Sequence, residues 1–254
     1  MTTTNDTSPH AARVDDLLAQ MTLEEKAGQL TQYFHFGSMM GDVDPEADPL
    51  GASMAQLPKM VEAAVQAGGA GSLLFVTKPS EINRLQRLAV DDTRLGIPML
   101  FGFDVIHGLR TILPVPIAMA ASWDPDTIEQ GQSMAAREAR AVGIHWTFAP
   151  MVDIARDPRW GRIIEGAGED PYLGAAVAVA QVRGFQGGEP GSSPNVVPDG
   201  VIAGPKHFAG YGAAIGGRDN EEVNLSDSEL WNVYLAPFKA AIDAGAGNVM
   251  TAYM

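Results

Sequence analysis

Five short runs of the chain are apolar throughout, without alternation of apolar and polar residues. They are GSLLFV (71–76), IPMLFGFD (97–104), HWTFAPMVDI (145–154), GVIAGPKHF (200–208) and GNVMTAYM (247–254). Runs of this length and character suit strands buried on both faces, as in parallel sheets covered by helices. The intervening segments read as helices. Thr22 with Glu25 three residues on is a capping-box pattern. From Ser80, the spacing puts Ile82, Leu85, Leu88 and Ala89 on one face. Asp124-Pro125 opens a further helix that Gly143 closes. Ser226 and Glu229 form a second capping box, and the helix they open runs to Gly245 with a kink or division at Pro237. Strands alternating with helices predict an α/β architecture.

The polar residues of the apolar runs collect at their C-terminal ends: Thr77, Lys78, Asp104, Asp153, Lys206, His207 and Tyr253. A (β/α)8 barrel builds its active site at that end of its strands. An open doubly wound sheet also binds ligands there. The dinucleotide-binding version requires a Gly-x-Gly-x-x-Gly turn directly after a strand, whereas GGAGS precedes its strand here. The expected fold is therefore a TIM-type (β/α)8 barrel. Five or six strands are visible where a closed barrel needs eight, so the barrel is expected to be incomplete at its C-terminal end. Residues 1–12 are expected to be a disordered polar tail and 13–254 a partial barrel domain. The stretch 184–200, rich in Gly, Pro and Ser, reads as a surface loop, and 35–53 as an irregular insertion near the mouth of the site.

Several functions are disfavoured. With 17 basic against 31 acidic residues the net charge is -14, the wrong sign for nucleic acid or an anionic membrane surface. There are no cysteines, which removes disulfide and thiolate chemistry. No apolar run approaches the ~18 residues of a membrane span. The polar start MTTTNDTSPHAARVDD shows no secretory leader, giving the expectation of a cytoplasmic protein. The five histidines show no His-x-His or His-Glu-x-x-His spacing, and no metal or cofactor is expected. The Gly-rich stretch 210–226 lacks the helix-opening Lys-Ser/Thr of a phosphate loop.

The candidate ligand-binding residues each carry a plainer alternative. Asp104 could accept from neighbouring hydroxyls, or it could cap a helix or pair with an arginine. His107 reads more readily as a structural histidine. The densest polar stretch, 148–174, holds Asp153, Arg156, Asp157, Arg159, Arg162, Glu165, Glu169 and Asp170 around Trp160. Most of these charges would pair with one another, leaving one or two guanidinium groups for a ligand. Lys206 and His207 can face one pocket together only if regular strand pairing stops at Pro205, because successive strand residues point to opposite faces. Arg218-Asp219 reads as a charged clasp within its loop.

Five stretches, MTLEEKAGQL, GIPMLFGFDVIHG, WTFAPMVDIARDPRWGRIIEGAGEDPYLG, KHFAGYGAAIGGRDN and YLAPFKAAIDAGAGNVMTAYM, resemble the N-terminal domain of glycoside hydrolase family 3, in that family's order. The resemblance covers about residue 13 to the last residue. It implies a TIM-type barrel that hydrolyses β-glycosides with retention of configuration. It further implies that Asp104, Arg162, Lys206 and His207 hold the hydroxyls of the sugar, that Tyr253 lies against the nucleophile, and that Glu165 and Asp219 support them. Ala209 and Tyr211 are similar to the glucosidase and xylosidase branches rather than the N-acetylglucosaminidase branch.

Retaining hydrolysis needs a nucleophilic carboxylate and a second carboxyl as acid/base. The family's nucleophile is an aspartate in a Ser-Asp-Trp type motif, and the one Ser-Asp here, Ser226-Asp227, opens a helix. No catalytic residue is therefore assigned within the chain. The nucleophile is expected beyond Met254, and the acid/base from a following domain. The expected activity is release of terminal β-D-glucosyl residues by the complete enzyme, with a carbohydrate and the missing barrel segment as partners. A β-xylosidase and a non-catalytic carbohydrate-binding module are the alternatives.

Overall fold

The computed structural model describes residues 10–36, 56–189, 191–192 and 196–254. The chain divides into two compact units, Met1–Gly102 and Phe103–Met254. Most of the irregular stretch 35–53 lies outside the described residues.

In the N-terminal unit, helices Ala11–Gln20 (α1) and Leu23–Gln29 (α2) precede strand Gln32–Phe34 (β1). Helix α1 begins inside the stretch expected to be a tail. The capping box of α2 is complete: Thr22 accepts from the Glu25 N–H, and Glu25 accepts from the Thr22 N–H. Helix Leu57–Gln66 (α3), strand Ser72–Leu74 (β2) and helix Pro79–Asp91 (α4) follow. Helix α4 starts one residue before Ser80, at a proline whose missing N–H costs nothing in a first turn. Its Ile82, Leu85 and Ala89 are buried, as their spacing requires. Strand β1 pairs in parallel with β2, and β2 pairs in parallel with Leu100–Phe103 (β3). Leu73 and Phe101 are fully buried among Val61, Val65, Ile82 and Leu85. Strand β1 has no counterpart among the five apolar runs, because its sequence, QYF, is only half-buried or exposed.

The C-terminal unit contains helices Pro116–Ala120 (α5) and Pro125–Val142 (α6), strand Trp146–Thr147 (β4), helix Pro171–Gln186 (α7) and strand Ile202–Ala203 (β5). Asp124 caps α6 by accepting from the Thr127 N–H, and Gly143 ends it at φ 102°, a left-handed conformation that favours glycine. Strands β4 and β5 are parallel, with Trp146 opposite Ile202. Strand β5 ends at Ala203, and beyond Pro205 only isolated bridges continue, Lys206 to Met151 in parallel and Phe208 to Thr251. The run 247–254 therefore lies beside 203–208 through main-chain bonds, including Phe208 N–H to the Met250 carbonyl at 2.8 Å, and it forms a bridge rather than a full strand.

Helix α7 is buried over most of its circumference, with Tyr172 and Arg183 exposed on the remaining side, so its mostly apolar sequence shows little amphipathic period. It packs against α6 and against Leu235–Asp243 (α8). Gly184 permits the first contact, since a Cβ there would lie 2.5 Å from the Glu129 carbonyl oxygen. Helix α7 runs three residues into the stretch expected as loop, and its last residue, Gln186, is 2% exposed. The Gln186 amide donates to the Gly245 carbonyl at 2.8 Å, and its Oε1 accepts from the Ala203 and Gly247 N–H groups at 3.0 Å each.

Only half of the second capping box forms. Ser226 accepts from the Glu229 N–H, but the Glu229 carboxylate pairs with Arg156 at 2.5 Å. Pro237 offers no N–H to the Val233 carbonyl, and the helix is wound as a π turn over Leu230–Tyr234 before α8 begins.

Candidate active site

Lys206 and His207 are 4% and 0% exposed. A buried ammonium or imidazole is costly unless it is paired, and each has a carboxylate. The Lys206 Nζ lies 2.8 Å from Asp104 Oδ1, which follows β3. The His207 ring Nδ1 lies 2.8 Å from Asp153 Oδ2, and the His207 backbone N–H donates to the same oxygen at 2.9 Å. Burial pushes the Asp153 carboxyl up, against the lowering effect of His207. Asp153 Oδ1 and His207 Nε2 are buried with no hydrogen-bond partner among the described residues.

Around the histidine stands an aromatic wall. Its ring centroid is 5.0 Å from both Tyr211 and Tyr253, and Tyr211 meets Trp160 edge-on at 5.2 Å. The Arg162 guanidinium lies 5.6 Å from the Tyr211 ring centroid, over its face. Arg162 itself is gripped at two points by Glu165, at 2.7 and 2.9 Å. Burial pushes Glu165 up, but Arg162 outweighs it and leaves the carboxyl below the usual range, with Lys206 and His207 acting in the same direction. Asp219 accepts from the Trp160 indole N–H at 2.9 Å and from the Tyr211 hydroxyl at 2.6 Å. Arg162, Tyr211, Asp219, Asn220 and Tyr253 line an open depression.

The expected residues are thus gathered in small groups: Lys206 with Asp104, Arg162 with Glu165, His207 with Tyr253, and Asp219 through Tyr211. Tyr211 joins His207, Arg162 and Asp219, and Asp153 holds His207; neither is among the residues that the resemblance assigned to the sugar. The clasp is corrected: Arg218 pairs with Glu221 at 2.9 Å, and Asp219 turns to the aromatic wall. The signal missed was Trp160, an indole amid charges that is 1% exposed and whose N–H needs an acceptor. His107 is structural, with Nδ1 3.0 Å from the Leu113 carbonyl oxygen.

Parallel strands joined by helices, with charged residues gathered at the strand ends, define an α/β barrel-type scaffold. Residues 22–254 match the model of the glycosyl hydrolase family 3 N-terminal domain, and the chain belongs to that family. It is 36% identical over 95% of its length to a periplasmic β-glucosidase of Salmonella typhimurium, covering 29% of that protein. It is 38% identical over 69% of its length to a β-xylosidase of Formosa agariphila, covering 25% of it. The crystal structure of a β-glucosidase from Listeria innocua in complex with glucose superposes with a TM-score of 0.83 at 40% identity, over 95% of this chain and 33% of that one. The fold expectation holds: the domain is a (β/α)8 barrel-like α/β fold. The chain spans about a third of the length of these β-glucosidases. The expectation of a cytoplasmic location is overturned, because relatives in Salmonella typhimurium and Dickeya chrysanthemi are named as periplasmic enzymes.

Proposed function

We propose that this chain supplies the sugar-binding part of an enzyme that releases terminal β-D-glucosyl residues with retention of configuration. The observation that carries this reading is the burial of Lys206 and His207 against Asp104 and Asp153. A cation and an imidazole held this rigidly are preorganised to donate to hydroxyls. In this reading Asp104, Arg162, Lys206, His207 and Tyr253 contact the sugar. Glu165 fixes Arg162, and Asp219 fixes the wall on which the sugar rests. The domain covers 13 to 254, and α1 extends it back to Ala11.

No nucleophile or acid/base is assigned within these residues. Both are proposed to come from sequence outside them, so the chain alone is expected to bind sugar without cleaving it. The purified 254-residue chain should leave aryl β-glucosides intact while glucose raises its Tm. Sustained turnover by the chain would overturn the division of labour, and an unmoved Tm would remove the sugar site. The relative named β-xylosidase supports a second reading, in which xylose is the better ligand; the larger Tm shift, with glucose or with xylose, decides between them.

A further inference from the structure

His35 follows β1, Glu62 lies in α3 and Glu81 in the first turn of α4, all within the N-terminal unit. A ring nitrogen of His35 and one carboxylate oxygen from each glutamate lie within 4.8 Å of one another. His35 is 1% exposed, and neither ring nitrogen has a hydrogen-bond partner among the described residues. Its backbone N–H donates to the Leu74 carbonyl at 3.0 Å, which fixes the main chain there, and burial restricts the ring. The His35 Nε2 to Glu62 Oε1 distance is 3.6 Å, too long for a hydrogen bond. It is close to the ~3.3–3.4 Å that separates two ligands on a tetrahedral zinc ion at 2.0–2.1 Å bond lengths.

Arg84 currently neutralises part of this cluster. Its guanidinium contacts Glu62 at 2.6 and 3.2 Å and Glu81 at 2.7 and 2.9 Å. Both carboxylates thus face the same guanidinium from separate helices. Two carboxylates share one guanidinium beside an imidazole neither of whose nitrogens is hydrogen-bonded among the described residues. The Arg84 side chain is 43% exposed, and it can be released to water at small cost.

We propose that His35, Glu62 and Glu81 form a binding site for a divalent transition-metal ion, best matched by zinc, from which Arg84 is displaced. One imidazole and two carboxylates are a donor set suited to zinc, with a fourth position for water. The ligands come from three separate elements, which is why histidine spacing along the chain gives no sign of them. None of them belongs to the candidate sugar site.

The test uses the full 254-residue chain. Zinc should bind at one equivalent and raise the Tm, and cobalt(II) should give the visible absorption of a four-coordinate ion. Glu62→Gln and Glu81→Gln, which alter partly exposed side chains, should each weaken zinc binding on the order of ten-fold or more. His35→Ala should abolish the cobalt band. Arg84→Gln should tighten binding, since it removes the competing cation. Zinc binding without the cobalt band, equal binding in the His35 and glutamate variants, or weaker binding in Arg84→Gln would each overturn the proposal.

Discussion

One oxygen of Asp153 meets His207 twice, accepting from its backbone N–H at 2.9 Å and lying 2.8 Å from its ring Nδ1. The carboxylate therefore sets both the main chain and the imidazole of the residue that follows Lys206. With Nδ1 directed at Asp153, Nε2 is the nitrogen left for a ligand.

Removing that carboxylate strands two buried donors. Asp153→Ala is expected to destabilise the chain by about 3 kcal/mol or more, while Asp153→Asn, which keeps one acceptor, should cost about half as much. Urea denaturation measures both. Nitrogen-15 shifts of the His207 ring should show the Nδ1 proton fixed in the parent and shared between tautomers in the variants.

Lys206 should matter more to sugar than to stability. Its partner Asp104 has a side chain that is 34% exposed and can be hydrated when the ammonium is lost. Lys206→Met should therefore fold and melt close to the parent. In an enzyme that includes the nucleophile it should lower kcat/KM by about 10²-fold, the scale of losing one preorganised donor. An unchanged kcat/KM would remove Lys206 from the site.

Tyr211 links the wall to pH. Burial, and then its hydrogen bond to Asp219, push its hydroxyl up from 10.0 to about 12. A folded-state value above the unfolded one adds stability that is complete below about pH 10 and is lost as pH rises through about 12. Asp219→Ala should bring this loss to lower pH. A titration followed by phenolate absorbance checks it, with Tyr211→Phe identifying the phase.

Glu62 and Glu81 work in the opposite sense. Arg84 holds both below 4.5, so their contribution is present above about pH 4.5 and is lost as pH falls through their folded values. With the two carboxylate side chains 27% and 24% exposed, Arg84→Gln should cost only about 1 kcal/mol at pH 7. The gap to the parent should close in acid. Denaturation curves recorded across pH with a chelator present measure this.

Gly212 is a steric prediction. A Cβ there would lie 2.2 Å from the Ile154 carbonyl oxygen, a backbone atom that cannot rotate away. Gly212→Ala should cost about 3 kcal/mol or more, beyond ordinary overpacking, as read from the denaturation midpoint. Near-parent stability would show that the loop can move.

The sequence was most legible where a local rule acts alone. The complete capping box at Thr22, the buried face of Ile82, Leu85 and Ala89, and the stop at Gly143 each depend on a few neighbouring residues. It was least legible where a distant residue competes. Glu229 leaves its capping box because Arg156, far away in the chain, offers a guanidinium. Asp219 abandons Arg218 for an indole and a phenol. Helix α7 gives little period because three sides of it are covered. At the site, motif order brought forward Lys206, His207, Arg162 and Asp104 as candidates. The carboxylate that orients His207 had to be seen in space.

The Gln186 amide joins the end of one helix to main-chain groups at Ala203, Gly245 and Gly247. Three bonds thus depend on one amide having both a donor and an acceptor. Hydrolysis of that amide to a carboxylate would place an acceptor against the Gly245 carbonyl and introduce a charge at a position 2% exposed. Glutamine is among the residues that heat degrades chemically, so the durability of this junction is set by the lifetime of a covalent bond as well as by folding equilibrium.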